Sequence, residues 1–448
     1  MSETRTDIDP GTLPDEQRAR PNTSLAERWY VAITMCVVYT LSICDRYSIS
    51  TVLEPIRKEL HLSDANVAFL TSVVLAAFYV VFGFPLSWLI DRKSRRAIIG
   101  ACLIVWSGFT VATGLARNYW QLLCARLGIG IGEAGGTPGA NSILSDYFPA
   151  ARRPMALQVF SLGAPIGAWL GSQVAGAIAF RFGWRAMFLA LGIPGVLIGA
   201  LVLLTIREPA RGCLDRDSGR HSAPPILETM CFMLRQPSAL HLIAGGCMVA
   251  LWGWGLMWWT PAFLMRSYGL NVDQVGAMLG PIHLIGGSLA MIASTWLLSR
   301  PWLSSQQRVL RLIGVNILLG TAATAVIYAT HSLALTRVVF WIYIPSIYVY
   351  IGPGYGILNN LARPGMRAVY CATVLFAANF GNLIIAPPLI GVLSDVFARH
   401  HVSNAESLRL AMLCLVPTGV WAAWHYFLSA RHVLDDERRA ASEGAAGM

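Results

Sequence analysis

Charge is what this chain has least of. Asp, Glu, Lys and Arg make up 13% of its 448 residues, against 55% hydrophobic, and mean hydropathy is +0.55. So little charge cannot keep that much apolar surface in water, which excludes a soluble globular domain and indicates a polytopic membrane protein. Cysteine pattern is also lacking. The nine cysteines, at 36, 44, 102, 124, 213, 231, 247, 371 and 414, include no C-x-x-C pair, so neither a disulfide framework nor a metal site is expected. Residues 1–27 are polar and carry both signs of charge, without the apolar core of a cleavable signal. The run Gly128-Ile-Gly130-Ile-Gly132 lies in an apolar segment and lacks the Gly-Lys-Ser/Thr of a phosphate-cradling loop, so no nucleotide cofactor is expected. A membrane enzyme such as an acyltransferase would need a His–acid or Ser–His set at one membrane face. The nine histidines offer none: His400 and His401 share a loop, and His432 stands near the end beside Asp435 and Asp436.

What is present is a series of long apolar runs. Spans of about 20 residues are expected at 29–50, 67–90, 97–116, 119–147, 154–180 and 184–206. The second half gives 239–265, 272–298, 309–329, 334–360, 367–395 and 408–430. These limits define a tail (1–27), a six-helix bundle (28–206), a polar linker (207–237), a second six-helix bundle (238–430) and a tail (431–448). The formal charge of +10 is read as topology and not as a nucleic-acid surface, because the arginines fall in short clusters between spans. On this map twenty-three of the 34 Lys and Arg lie on one side and nine on the other, with Arg46 and Arg126 inside spans. The richer side, with both tails and the linker, is expected to be cytoplasmic, in the inner (cell) membrane of a bacterium.

Ionisable groups inside spans are costly and need partners, water or a function. The fourth span reads Arg126-Leu-Gly-Ile-Gly-Ile-Gly-Glu133-Ala-Gly-Gly-Thr-Pro138-Gly139. On a helix, seven residues turn through about 700°, so Arg126 and Glu133 share a face roughly 10 Å apart along the axis. Gly128, Gly132 and Gly136 fall on the opposite face as a small-xxx-small row that admits a neighbouring helix. The first span carries Asp45 and Arg46 near one end, and Asp45 is expected on a cavity wall opposite Arg126. Glu133 and Asp45 are the groups expected to take up protons, with Arg126 and Arg46 as anion contacts.

The second span ends in Ser87-Trp-Leu-Ile-Asp91-Arg92-Lys93-Ser94-Arg95-Arg96. This resembles the signature loop of the major facilitator superfamily, Gly-x-x-x-Asp-Arg-x-Gly-Arg-Arg, with Ser87 and Ser94 where the family prefers glycine. The resemblance implies twelve transmembrane helices in two pseudo-symmetric six-helix bundles, all-α, with Asp91, Arg92, Arg95 and Arg96 as gating residues. Asp45-Arg46-Tyr47, Gly132-Glu133-Ala134, Asp146-Tyr147-Phe148, Gly163-Ala-Pro165-Ile-Gly167 and Phe182-Gly-Trp184-Arg185 are similar to the Spinster branch. That likeness covers residues 30 to 206 well and is thinner afterwards, through Asn359, Asn360, Arg367, Asn379, Pro387 and Ser394-Asp395.

The second half differs in its chemistry. Its span interiors carry no carboxylate, and its seventh and tenth spans are aromatic, with Trp252, Trp254, Trp258 and Trp259, then Trp341, Tyr343, Tyr348, Tyr350 and Tyr355. Trp254, Trp258, Tyr348 and Tyr355 are the substrate contacts expected there, whereas His283 is expected to be a hydrogen-bonded core residue. The resemblance implies a monomeric, proton-linked carrier working by alternating access. Its substrate would be an amphiphilic lipid of the lysophospholipid or sphingoid type, with surrounding membrane lipids as its other partners. A symporter of a small organic or aromatic anion is the alternative.

Overall fold

The computed structural model describes residues 24–149, 152–209, 226–298, 300–303, 305–362 and 366–446. Among the described residues every element is helical, and nine helices are long and apolar enough to cross a bilayer. One of them, Met155–Thr205, is 51 residues long, about twice what one crossing needs. It folds back at Gly183, whose φ of 84° and ψ of 160° lie in a region that essentially only glycine occupies. Two more spans are less apolar because they carry charge: Leu25–Thr51 holds Asp45 and Arg46, and the pair Tyr119–Glu133 and Gly136–Tyr147 holds Arg126, Glu133 and Asp146. The total is twelve.

The first six spans are Leu25–Thr51, Asp64–Ile90, Arg95–Leu115, Tyr119 to Tyr147 and the two arms of Met155–Thr205. The second six are Pro237–Tyr268, Val272–Leu298, Gln306–Ala329, Leu333–Leu361, Ala372–Arg399 and Asn404–Arg439. Wide, π-type turns occur in the second and fifth span of each half, at Phe69–Val73, Leu170–Val174, Ile282–Gly287 and Phe380–Ile385. A fifth lies in the seventh span at Ala250–Trp254. Such turns locally break the i→i+4 ladder and let a helix re-aim its side chains.

Three expected boundaries shift. The first helix already begins at Leu25, and residues 1–23 lie outside the described residues. Within the expected linker 207–237, Ile226–Leu234 is helical and 210–225 lie outside the described residues. The expected tail 431–448 continues the last helix, which runs Pro417–Ala446. Leu434, Glu437, Arg438, Arg439, Ala440 and Ala441 are strong helix formers, and buried Val433 anchors the extension.

Small residues set how closely spans approach. A Cβ on Gly132 would sit 2.7 Å from Trp106 N and 2.9 Å from Cys102 O, so the expected glycine row does pack the fourth span on the third. Between the halves, a Cβ on Gly276 would meet Ser172 O at 2.2 Å, and one on Gly391 would meet Asp64 O at 2.6 Å. Backbone therefore touches backbone at that end of the molecule.

An ionic lattice ties the halves at the same end. Arg266 of the seventh span donates in parallel to both Asp64 oxygens, each at 2.7 Å, and to Glu54 at 2.7 Å. Arg57 donates twice to Glu54, at 3.1 and 2.9 Å. Ser394 donates to Asp64 at 2.7 Å, and the Asp395 carboxylate accepts from Asp64 N and Ala65 N at 3.0 and 2.9 Å. A carboxylate of the eleventh span thus caps the N-terminus of the second, where the helix dipole favours negative charge. Burial pushes the Glu54 carboxyl up, but the Arg57 hydrogen bond and the Arg266 and Arg57 charges outweigh it and hold it below its ordinary value.

A carboxylate held low contributes fully above its unfolded pKa of about 4.3 and loses that contribution only as pH falls through the lower, folded value. Nitroxide labels at positions 58 and 399 should therefore report an unchanged closed distance between about pH 7 and pH 5, well above that range. Asp395→Asn should shift the population towards longer distances already at neutral pH. A parent distance that lengthens above pH 5 would show that some other group titrates the seal.

Candidate functional site

Asp45 and Arg46 of the first span and Arg126 and Glu133 of the fourth meet inside the first bundle. Arg46 donates from Nε and Nη2 to one Glu133 oxygen, Oε2, at 2.9 and 2.8 Å. Arg126 faces Asp45 at 3.6 Å, too far for a hydrogen bond, while Thr110 donates to the other Asp45 oxygen at 3.0 Å. Asp45 therefore does lie opposite Arg126. The shared helical face of Arg126 and Glu133 serves two separate pairs.

Exposure separates the pairs. Arg126 is fully buried at 0% and its partner Asp45 is 5% exposed, whereas the Arg46 side chain is 21% exposed. The Arg46 guanidinium lies 5.3 Å from the Tyr79 ring, and that of Arg126 lies 5.3 Å from the Phe188 ring, cation–π distances that lessen the cost of burial. Compensation stays incomplete. Arg126 Nε, Nη1 and Nη2, Asp45 Oδ2 and Glu133 Oε1 are all buried without a hydrogen-bond partner. Trp106 stands between two small cavities, one reaching Glu133 and the other Asp45.

The aromatic residues of the second half lie across a seam from this cluster. Trp254 donates to Tyr350 OH at 3.2 Å and meets Tyr348 edge-on at 5.3 Å. Tyr348 and Trp258 are buried, and Trp254 and Tyr355 are half-buried. His283 is a hydrogen-bonded core residue as expected, its Nδ1 3.0 Å from Tyr348 OH. Tyr47, next to Arg46, meets the His283 ring edge-on at 4.8 Å, and Ser50 donates to Trp258 O at 2.7 Å. Both contacts join the halves beside the charged cluster.

The residues expected to gate lie at the opposite end from the lattice. Arg95 is buried and donates to Asp146, to Glu208 at 2.7 Å and to Pro209 O at 2.8 Å. Arg96 donates to Ile206 O at 3.0 Å, and Arg92 stacks over Trp88 at 4.1 Å. The side chain of Asp91 lies outside the described residues. Arg95 and Arg96 thus clamp the third span and the end of the sixth within one half, and Arg95 also holds the fourth. Burial raises the Glu208 carboxyl, but the hydrogen bonds from Arg95, Arg96 N and Ser94 hold it below its ordinary value.

Sequence reading missed the lattice made by Glu54, Asp64, Arg266 and Asp395, along with Thr110 and Tyr79. The available signal was weak. Glu54, Asp64, Arg266 and Asp395 are single polar residues near span ends, which pattern alone assigns to water, and Thr110 and Tyr79 are single polar groups inside apolar spans.

A family model described as Major Facilitator Superfamily matches residues 35–384. An MFS-type efflux pump of Mycolicibacterium smegmatis is 27% identical over 416 residues, 91% of this chain and 94% of its own length. Protein spinster homolog 1 of Mus musculus is 26% identical over 442 residues, 92% of this chain and 82% of its own. Among solved structures, a bacterial homolog to the human lysosomal transporter Spinster, inward-facing and unoccupied, superposes with a TM-score of 0.81 at 28% identity. That match covers 92% of this chain and 99% of the other.

Removing one partner of a buried ion pair leaves an uncompensated charge and costs about 3–5 kcal/mol. Asp45→Ala should lower the thermal unfolding midpoint of the detergent-purified protein accordingly, and adding Arg126→Met should recover most of the loss. Additive effects of the two substitutions would mean that the pair does not couple at 3.6 Å.

Proposed function

Since this chain belongs to the Major Facilitator Superfamily, in its Spinster-like branch, it is a membrane transporter, and we propose that it is a proton-coupled one working by alternating access. The observation that carries the reading is the Arg46–Glu133 pair. It is a two-donor contact to a single carboxylate oxygen, beside the seam between the halves, with the second oxygen free.

Ionised Glu133 holds the Arg46 fork. Protonated, it accepts far less strongly, and the guanidinium is released to bind an anionic group with two parallel charge-assisted bonds. Proton binding and anion binding then favour each other. Arg126, fully enclosed, compensates Asp45 and sets the field in which the pair switches, and Asp45 serves as the second titrating group. On the other side of the seam, Trp254, Trp258, Tyr348 and Tyr355 offer an apolar wall to the rest of the substrate. An amphiphile with an anionic or zwitterionic head, such as a lysophospholipid or phosphorylated sphingoid base, matches both sides. A small aromatic acid also matches an Arg beside indole rings, and is the alternative. The Arg95/Arg96 clamp with Arg92 and Asp91 is assigned to gating at the end opposite the lattice.

Transport into liposomes with an imposed pH gradient tests this reading. Glu133→Gln should reduce gradient-driven uptake about tenfold or more, the scale of a hydrogen bond to a charged group, while counterflow exchange persists. A variant that responds to the gradient as the parent does would make Glu133 structural. In the same assay, competition by lysophospholipids, sphingoid bases and aromatic acids separates the substrate classes, and competition by the small acids alone would overturn the lipid assignment.

The arginine-rich end, with the 207–237 segment, is assigned to the cytoplasm from the asymmetry of basic residues. Labelling of a cysteine engineered at position 218 by a membrane-impermeant maleimide in intact cells would reverse that orientation.

A further inference from the structure

The free oxygen of Glu133 faces a built cavity. Val38, Tyr39, Ser42, Trp106, Thr137 and Phe160 line it together with Glu133 itself, and its volume is about 10 Å³. That is about the space of one water centre, and a buried water needs two to four polar partners. Glu133 Oε1 is buried without a partner, and the half-buried Ser42, Tyr39 and Thr137 each bring a hydroxyl to the same wall. The apolar lining is held in place: Tyr39 stacks on Phe160 with centroids 4.6 Å apart, and Trp106 is pinned against Gly132.

The chain path explains why the seat is polar. The fourth span breaks after Glu133 and restarts at Gly136, with no side chain capping the new helix. Thr137 is its second residue, so unpaired backbone donors and the positive helix end lie beside the carboxylate.

Resting on the proton-coupled reading above, we propose that this cavity seats a single water between Glu133 Oε1 and the Ser42 and Thr137 hydroxyls, and that the proton reaches and leaves Glu133 through it. On loading, the water gives one proton to Oε1 and takes one from solvent on its other side, so it is regenerated and Glu133 becomes neutral. On release both transfers reverse. The assignment separates two tasks on one carboxylate, with Oε2 holding Arg46 and Oε1 exchanging the proton. Ser42 and Thr137 are positioning residues acting through the water. The other charged or titratable groups around Glu133 are Arg46, Asp45 and Tyr39 from the first span, Tyr79 from the second and Arg126 from its own. The third and fifth spans present uncharged Trp106 and Phe160 to the cavity.

Infrared difference spectroscopy of the purified full-length protein during a pH titration reads the carboxyl directly, without a substrate. The band lost in Glu133→Gln identifies it. A seated water donating to the ionised oxygen favours that form, so Ser42→Ala and Thr137→Val should each raise the protonation midpoint, by about one pH unit for a loss of 1.4 kcal/mol. Thr137→Ser should restore it. A cryo-electron microscopy map of the parent should show density between Oε1 and the two hydroxyls, which keeps the proposal testable if a variant does not fold. A parent map with an empty seat, or a midpoint unmoved in both variants while the Glu133 band still titrates, overturns the water and leaves the coupling reading standing. A Glu133 band that never titrates overturns both.

Discussion

The cost of keeping four charges out of water is the constraint from which this molecule's arrangement follows. Asp45 and Arg46 are adjacent, so on a helix their side chains diverge by about 100°, and one neighbour cannot serve both. The fourth span answers with two residues seven apart, and the pairs cross between helices: Asp45 with Arg126, Arg46 with Glu133. The first, third, fourth and sixth spans must then pack closely enough to exclude solvent, which the glycine row against the third span allows. Desolvation also makes the cluster responsive. A buried pair whose hydrogen bonds are incomplete is poorly compensated, and a single proton removes much of the imbalance.

The second ionic system works in the opposite way. In the lattice at the sealed end, Arg266, Arg57 and Ser394 donate many hydrogen bonds to Glu54 and Asp64, and the helix-capping Asp395 accepts from two backbone amides. Well-compensated carboxylates hold their charge far below neutral pH. Under the proposed alternating access, the seal acts as a latch that yields to rearrangement of the halves, and the under-compensated cluster is the element that responds to protons. On the proposed coupling, conformation and protonation fall to different residues, the former at helix ends and the latter within the first and fourth spans.

Much of this was legible in the residues themselves. Twelve apolar runs, the Asp91 to Arg96 motif and the charges at 45, 46, 126 and 133 suffice for the fold and for the location of the buried cluster, because ions in apolar segments are too costly to be incidental. Pairing was not legible. Helical geometry puts Arg126 and Glu133 on one face, but which neighbour each reaches depends on the rotation of the first span. The lattice was hidden for a different reason: Glu54, Asp64 and Asp395 lie at span ends, where carboxylates ordinarily meet water, and only the approach of the two halves buries the first two. The continuation of the last helix past residue 430 escaped because hydropathy marks where a helix leaves the apolar zone and not where its backbone hydrogen bonds stop.

The proposed coupling requires that the state of the Arg46–Glu133 pair reach the other half, and the seam offers a short route. Tyr47 follows Arg46 on the same helix turn and rests on His283, which is hydrogen-bonded to Tyr348, which in turn packs edge-on to Trp254. One turn further on, Ser50 is bonded to the backbone at Trp258. A helix is stiff over this distance, so under the proposed coupling a shift of the first span at Arg46 on release from Glu133 would displace Tyr47 and Ser50 together. Both residues touch the aromatic wall, and His283 and Trp258 keep buried nitrogens without partners there. Unsatisfied buried donors and acceptors lower the cost of leaving one packed arrangement for another. The wide turns at Ala250–Trp254 and Ile282–Gly287 fall in the same layer, where a locally broken hydrogen-bond ladder lets a span bend without unfolding. The same layer thus combines the contacts that sense the charged pair with the backbone defects that can accommodate its movement.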